Sequence, residues 1–213
     1  TDQLMAELEA LFGAGSIGDL ESRAIFYYAI REGFNQSDKS YGVKGVEAAA
    51  KFLYLNRHGF NGMCRYNRQG LLNMPYGKYA KPYFPQKEIA AFAEKAKRAT
   101  FIAAHYSETL DLVRDEDVVY CDPPYLTESA NFTAYHSQGF NAMDHGRLAR
   151  RLRRLAGRGV SVVASNSDLN AVHSLYAGFD CVRIKAPRSV GAAAKSQKSA
   201  DELIIKSLPA SAK

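Results

Sequence analysis

Three runs in the first sixty residues repeat apolar positions at the spacing of a helix. Leu4, Leu8 and Leu11 share one face of "QLMAELEALF", with Glu7 and Glu9 turned elsewhere. "ESRAIFYYAIREGFN" and "VKGVEAAAKFLYLNR" continue the pattern, so the chain opens as a helical module. Between the first two runs, "LFGAGSIG" has the small residues of a phosphate-cradling loop. A helical pattern precedes it, however, and no strand ending in an acid follows about twenty residues later, as such loops require. It reads as a helix C-cap and connecting loop. The next stretch, "HGFNGMCRYNRQGLLNMPYGKYAKPYFP", is too long and irregular for a plain connection, and its aromatics favour an ordered, functional segment.

The period changes in the second half. "TFIAAHY", "DVVYCDPPY", "VSVVASNSD" and "FDCVRIKAP" each hold a short β-branched apolar core, and "ELIIKSL" gives a last strand. Between them lies "DHGRLARRLRRLAG", where Leu148, Leu152 and Leu155 form an apolar stripe on an arginine-rich helix with a solvated basic face. Strands alternating with helices predict a mostly parallel sheet of the α/β class. The expected organisation is a helical domain over 1–98 and an α/β domain over 99–213.

Composition narrows the partners more than the fold. With 213 residues, 46% of them hydrophobic, the chain can bury a core without staples. A net charge of +6 points to an acidic partner, nucleic acid before a membrane surface. Cys64, Cys121 and Cys181 are scattered, which suits neither zinc nor a disulfide framework and reads as reduced thiols in the cytoplasm. No apolar run is long enough to span a bilayer, so no membrane is expected, and no metal. A monomer is the default.

The stretch "VVYCDPPY", Val118 to Tyr125, carries the chemistry. An apolar strand ends in an acid, two prolines and a tyrosine, where ligands of open α/β sheets bind. Pro123 and Pro124 lack N–H groups and present carbonyl oxygens as fixed acceptors. Asp122 adds a carboxylate and Tyr125 a face for stacking. Such a set suits the exocyclic amino group of a planar base. One N–H goes to Asp122 and one to the Pro123 carbonyl, and the nitrogen then presents its lone pair to an electrophile. The bland alternative is a turn after a strand.

These segments resemble, in order, the Dam-type (D12 class) DNA adenine-N6 methyltransferases. "YLNRHGFNGMCRYNRQGLLNMPYGKYAKPYFP" is similar to that family's DNA-recognition hairpin and "VVYCDPPY" to its catalytic motif. "ANFTAYHSQGF" resembles the loop that follows, "SNSD" the next strand end, and "PRSVGA" with "DELI" the last strands. The resemblance implies a partial Rossmann-like S-adenosylmethionine-dependent methyltransferase sheet with a helical DNA-recognition domain. It further implies methyl transfer from S-adenosylmethionine to adenine N6 in double-stranded DNA, with the base flipped out of the stack. Asp122, Pro123, Pro124 and Tyr125 are the catalytic residues it implies. Asp122 and Tyr106, the latter just after a short strand, are the cofactor-binding ones.

For DNA it implies Phe60, Asn61, Met63, Arg65, Asn67, Asn73, Pro75, Lys78 and Tyr79. Arg65 stands where the family reads a guanine, which a guanidinium fork matches at O6 and N7. Phe60 is an aromatic wedge for the gap left by a flipped base. Pro75 and Tyr79 match contacts to the outer bases, while Asn61 and Lys78 match phosphate contacts. Met63 and Lys78 depart from the commonest family residues. The implied site is GATC. The family's lysine- and glycine-bearing start, its Phe-x-Gly-x-Gly loop and its ribose-binding acid are not found ahead of the helical module. The chain is therefore expected to be the larger, C-terminal part of such an enzyme, weak alone in cofactor binding. Two alternatives stay open: a DNA-binding module without catalysis, and methylation of single-stranded nucleic acid or a protein amide.

Overall fold

A computed structural model describes residues 1–37, 43–127, 140–186 and 200–207. "ANFTAYHSQGF" up to Gly139 and the "PRSVGA" segment lie outside these. The chain divides into two compact units, Thr1–Phe101 and Ile102–Lys213.

The first unit holds helices α1 (Asp2–Gly15), α2 (Leu20–Gln36), α3 (Val43–His58) and α4 (Gln86–Ala96). The three apolar runs thus fold as the periodicity predicts, and "LFGAGSIG" is the end of α1 and its exit loop. Ser16 caps α1 through backbone bonds, and the Asp19 carboxylate starts α2 by accepting from the Ser22 N–H. The core gathers Leu8, Tyr27, Phe34, Tyr54, Leu55, Leu72, Met74 and Tyr76, all buried. Aromatic edges fill one side of it. The Phe12 ring lies 5.8 Å from Tyr54, 4.7 Å from His58 and 4.9 Å from Phe84, with Tyr54 and His58 stacked at 3.9 Å.

Residues 58–77 double back on themselves between α3 and α4. Gly77 donates to the His58 carbonyl at 2.8 Å and Phe60 donates to the Pro75 carbonyl at 2.9 Å. Higher up, Asn73 donates to the Arg65 carbonyl and Asn67 to the Leu71 carbonyl. Gly77 has to be a glycine for this closure. A Cβ there would stand 2.9 Å from both the His58 and Gly59 carbonyl oxygens and 2.5 Å from the Tyr79 ring.

The second unit holds α5 (Tyr106–Asp111), α6 (Ala142–Gly157), α7 (Asn170–Leu175) and a four-stranded sheet. Its strands are β1 (Val118–Cys121), β2 (Ser161–Ser167), β3 (Asp180–Ala186) and β4 (Ala200–Lys206), in the order β1-β2-β4-β3. The unit is therefore mixed α/β, but the expected mostly parallel sheet is not what forms. Only β1 and β2 run parallel, while β4 lies between β2 and β3, antiparallel to both. Parallel neighbours need a crossover, which α6 supplies between β1 and β2; among the described residues no helix separates β3 from β4. "TFIAAHY" is not a strand either. Phe101 and Ile102 are 64% and 53% exposed, no described strand pairs with them, and α5 begins at Tyr106. A short apolar run becomes a strand only when a neighbour satisfies its backbone.

One face of the sheet is covered. Val119, Val162, Ala164, Leu203 and Ile205 pack under Leu148, Ala149, Leu152 and Leu155 of α6, with Val172 of α7. On the opposite face Val118 and Tyr120 are 72% and 66% exposed. Asn141 and Asp144 form a reciprocal capping box at the start of α6. The arginines of α6 and its C-cap Arg158 do more than solvate a face. Arg153 donates to the Leu175 carbonyl, Arg151 to the Ser107 carbonyl and Asp111, and Arg158 to the Val113 carbonyl and Asp115.

Candidate functional site

β1 ends at Cys121, and the next four residues leave the carboxyl edge of the sheet beside the end of its parallel neighbour β2. Position follows from sequence here: prolines cannot continue the ladder, so the chain must turn out. Asp122 is exposed, Pro123 buried and Tyr125 half-buried. Each functional side chain is held by a group from a distant strand. The Ser165 hydroxyl of β2 donates to Asp122 Oδ1 at 2.6 Å. The Tyr125 hydroxyl donates to Glu202 of β4 at 3.2 Å. Burial lifts that hydroxyl's pKa above its ordinary value, which keeps it a donor. Asn166, wholly buried at the end of β2, accepts the Leu126 N–H at 3.0 Å and fixes the exit of the motif.

A cavity of about 570 Å³ opens beside the motif. Asp122, Pro123 and Pro124 form one wall, Tyr106 with Phe140 another, and Asn141 with Asp144 the rim of α6. Tyr106 meets Phe140 edge-on at 5.9 Å. The expected cofactor residue Tyr106 thus lines the same cavity as Asp122, although it sits in the first turn of α5 and not after a strand. Cys121 also lines it, and burial pushes its thiol up to about 11, so it is no nucleophile at neutral pH.

The residues expected to meet DNA lie in the other unit, on the doubled-back segment and the two residues that follow it. Phe60, Asn61, Arg65, Asn73, Pro75, Lys78 and Tyr79 are exposed. Asn61 and Lys78 adopt left-handed backbone, with φ of 54° and 57°. The Asn61 N–H donates to the Tyr79 hydroxyl at 2.8 Å, which ties the turn to the chain just beyond Gly77. The Arg65 guanidinium rests on the Asn73 carbonyl at 3.1 Å. Met63 is half-buried against the core of its unit. Asn67 is a turn former, its side chain accepting from the N–H groups of Gln69 and Leu71.

Sequence reasoning did not single out Ser165 or Glu202 by number, nor Tyr27, Arg31 and Asn35 of α2, which bond to the return strand. "SNSD" and "DELI" carried the only signal for the first pair, as strand ends. Nothing in "YYAIREGFN" distinguishes a residue bonded to the segment from a solvated one.

A sequence model described as D12 class N6 adenine-specific DNA methyltransferase matches residues 1–190. The retron Ec67 DNA adenine methylase of Escherichia coli is 46% identical over 203 residues, covering 95% of this chain and 69% of that protein. A DNA adenine methylase of Vibrio cholerae is 44% identical over 186 residues, covering 86% of this chain and 65% of its own length. The DNA adenine methylase of Escherichia coli strain K12 is 41% identical over 180 residues, or 84% and 63%. This chain spans roughly two thirds of each relative, at 69%, 65% and 63%.

Proposed function

The chain belongs to the D12 class of N6 adenine-specific DNA methyltransferases, and from there we propose that its second unit methylates adenine N6 in double-stranded DNA, with S-adenosylmethionine as methyl donor. One observation carries this reading: an Asp-Pro-Pro-Tyr motif at a strand's carboxyl end, anchored from two other strands, opens on a ligand-sized cavity. The cavity's volume lies within the range of about 300–1,000 Å³ usual for small-molecule sites. Its aromatic walls and carboxylates suit a nucleoside that also bears positive charge. Bound S-adenosylmethionine supplies a methyl group on a cationic sulfur.

The chain's own residues prepare the acceptor. Asp122 and the Pro123 carbonyl take the two N–H groups of the adenine amine, and Tyr125 stacks on the ring. With both hydrogens engaged, the nitrogen lone pair turns out of the ring plane and becomes nucleophilic. Because Ser165 holds one carboxylate oxygen of Asp122, little reorganisation is needed as charge develops. An adenine inside a duplex cannot reach this site, so the base leaves the stack, and the exposed Phe60 of the first unit is the aromatic wedge for the gap.

The first unit supplies the address. Arg65 reads a guanine, Pro75 and Tyr79 the outer bases, and Asn61 and Lys78 grip phosphates, with GATC as the site. The test is methyl incorporation by the full-length protein into a GATC duplex and a scrambled duplex at one salt concentration. GATC should be strongly preferred, and Asp122→Ala should lose about 100-fold or more in rate while DNA affinity stays within about threefold. Equal use of both duplexes overturns the site assignment. An unchanged rate in Asp122→Ala overturns the catalytic one.

A further inference from the structure

The return strand of the doubled-back segment, residues 72–76, lies along helix α2 and is bonded to it at Leu72, Met74 and Tyr76. Asn35 Oδ1 accepts the Leu72 N–H at 2.8 Å, and Asn35 Nδ2 donates to the Leu72 carbonyl at 3.2 Å. Arg31 Nη1 donates to the Met74 carbonyl at 2.8 Å, and the Tyr27 hydroxyl donates to the same oxygen at 3.2 Å. At the far end the Tyr76 N–H points at the Tyr28 hydroxyl at 3.4 Å. Going up the helix from residue 28 to 35 therefore runs down the strand from 76 to 72.

The two repeats match physically. Four residues of α-helix rise about 6 Å, and two residues of strand span about 6.6–6.8 Å, so Arg31 and Asn35, four apart on α2, meet the alternate residues Met74 and Leu72, while Tyr27 shares the Met74 oxygen with Arg31. Asn35 is the strongest of these contacts, because its amide pairs with both backbone groups of one residue, as a neighbouring strand would. Leu72, Met74 and Tyr76 are 4%, 3% and 6% exposed, so the residues between them, Asn73 and Pro75, are turned to solvent. A slip of one residue would bury those two and expose the apolar set. It would also move the Asn73 carbonyl on which the Arg65 guanidinium rests.

We propose that Asn35, with Arg31 beside it, is a positioning residue that sets the register of residues 72–76 and thereby the protein's discrimination between DNA sequences. This rests on reading residues 58–79 as the segment that reads DNA. Asn35 itself touches no base. It fixes which side chains do.

The test uses three duplexes at one salt concentration: GATC, the same duplex with one base pair of the site changed, and a scrambled one. Asn35→Leu removes both bonds at similar volume, and Asn35→Asp keeps the acceptor but not the donor. Asn35→Leu is expected to lose about tenfold of the preference for GATC over the changed duplex, with affinity for the scrambled duplex within twofold. Asn35→Asp should fall between it and the parent. Hydrogen exchange at the Leu72 amide should rise at least tenfold in Asn35→Leu, which reports the register without DNA. An unchanged preference in a folded Asn35→Leu variant overturns the proposal, as does a parallel loss on all three duplexes. If Asn35→Leu does not fold, Asn35→Asp and Arg31→Lys answer the same question. A parent protein that binds all three duplexes alike overturns instead the reading of residues 58–79, before any substitution is made.

Discussion

A carboxylate proposed to accept one particular N–H is useful only in one orientation, and the Ser165 hydroxyl holds one oxygen of Asp122 in place. A hydrogen bond to a charged group is worth about 1.5–3 kcal/mol, so losing it at this site matters. Ser165→Ala is expected to lower kcat about 10- to 100-fold with KM for DNA nearly unchanged, read from steady-state methylation rates. A parent-like kcat would show that Asp122 needs no such support. At this scale the sequence is uneven. Asp122, Pro123 and Tyr125 are legible because their chemistry sits in one tetrapeptide. Ser165 and Glu202 are not, because their partners lie 43 and 77 residues away in the chain. Gly15 misleads in the opposite direction. It looks like part of a phosphate loop, yet it is small because an added Cβ would stand 2.4 Å from the Tyr54 hydroxyl.

Helix α6 shows how much an element can carry besides its apolar stripe. His145 in its first turns is wholly buried, neither ring nitrogen has a partner among the described residues, and burial lowers its pKa below the ordinary 6.5. In the unfolded chain the same ring takes up a proton near its ordinary value, while the folded ring stays neutral. The unfolded state then binds more protons, so stability is full above about pH 6.5 and declines as pH falls from there toward the lowered folded value. Chemical denaturation of the second unit between pH 7.5 and 5 should show this decline, and His145→Leu should flatten it. An equal slope in His145→Leu would remove His145 as its source. His58 of α3 is buried with its pKa shifted the same way, so the first unit should weaken with acid too. Helices with long apolar periods, α1, α2, α3 and α6, are legible in the sequence, as are strands β1, β2, β3 and β4. Strand direction is not, since a β-branched run reads the same in either orientation. "TFIAAHY" fails for a related reason: its apolar residues promise a strand, but only a neighbouring backbone makes one.

For the whole molecule the defining fact is two hydrophobic cores with no residue in common. Leu8→Ala in one and Leu152→Ala in the other should each destabilise by about 2–5 kcal/mol. In the double variant each core should lose what its own single variant loses, within about 0.5 kcal/mol, measured by hydrogen exchange in each core. A coupling well beyond that would show that the cores behave as one. Division into a helical half and a strand-bearing half is visible in the change of period along the chain. The side chains that bind α2 to the return strand are not, because no sequence pattern announces a helix that stands in for a strand. The aromatic cluster around Phe12 has a consequence that is optical. The chain contains no tryptophan and thirteen tyrosines, so its native emission is tyrosine emission alone. An indole introduced as Phe12→Trp, against Tyr54, His58 and Phe84, would be the molecule's sole red-shifted fluorophore. It would report on the packing of the first unit's aromatic core.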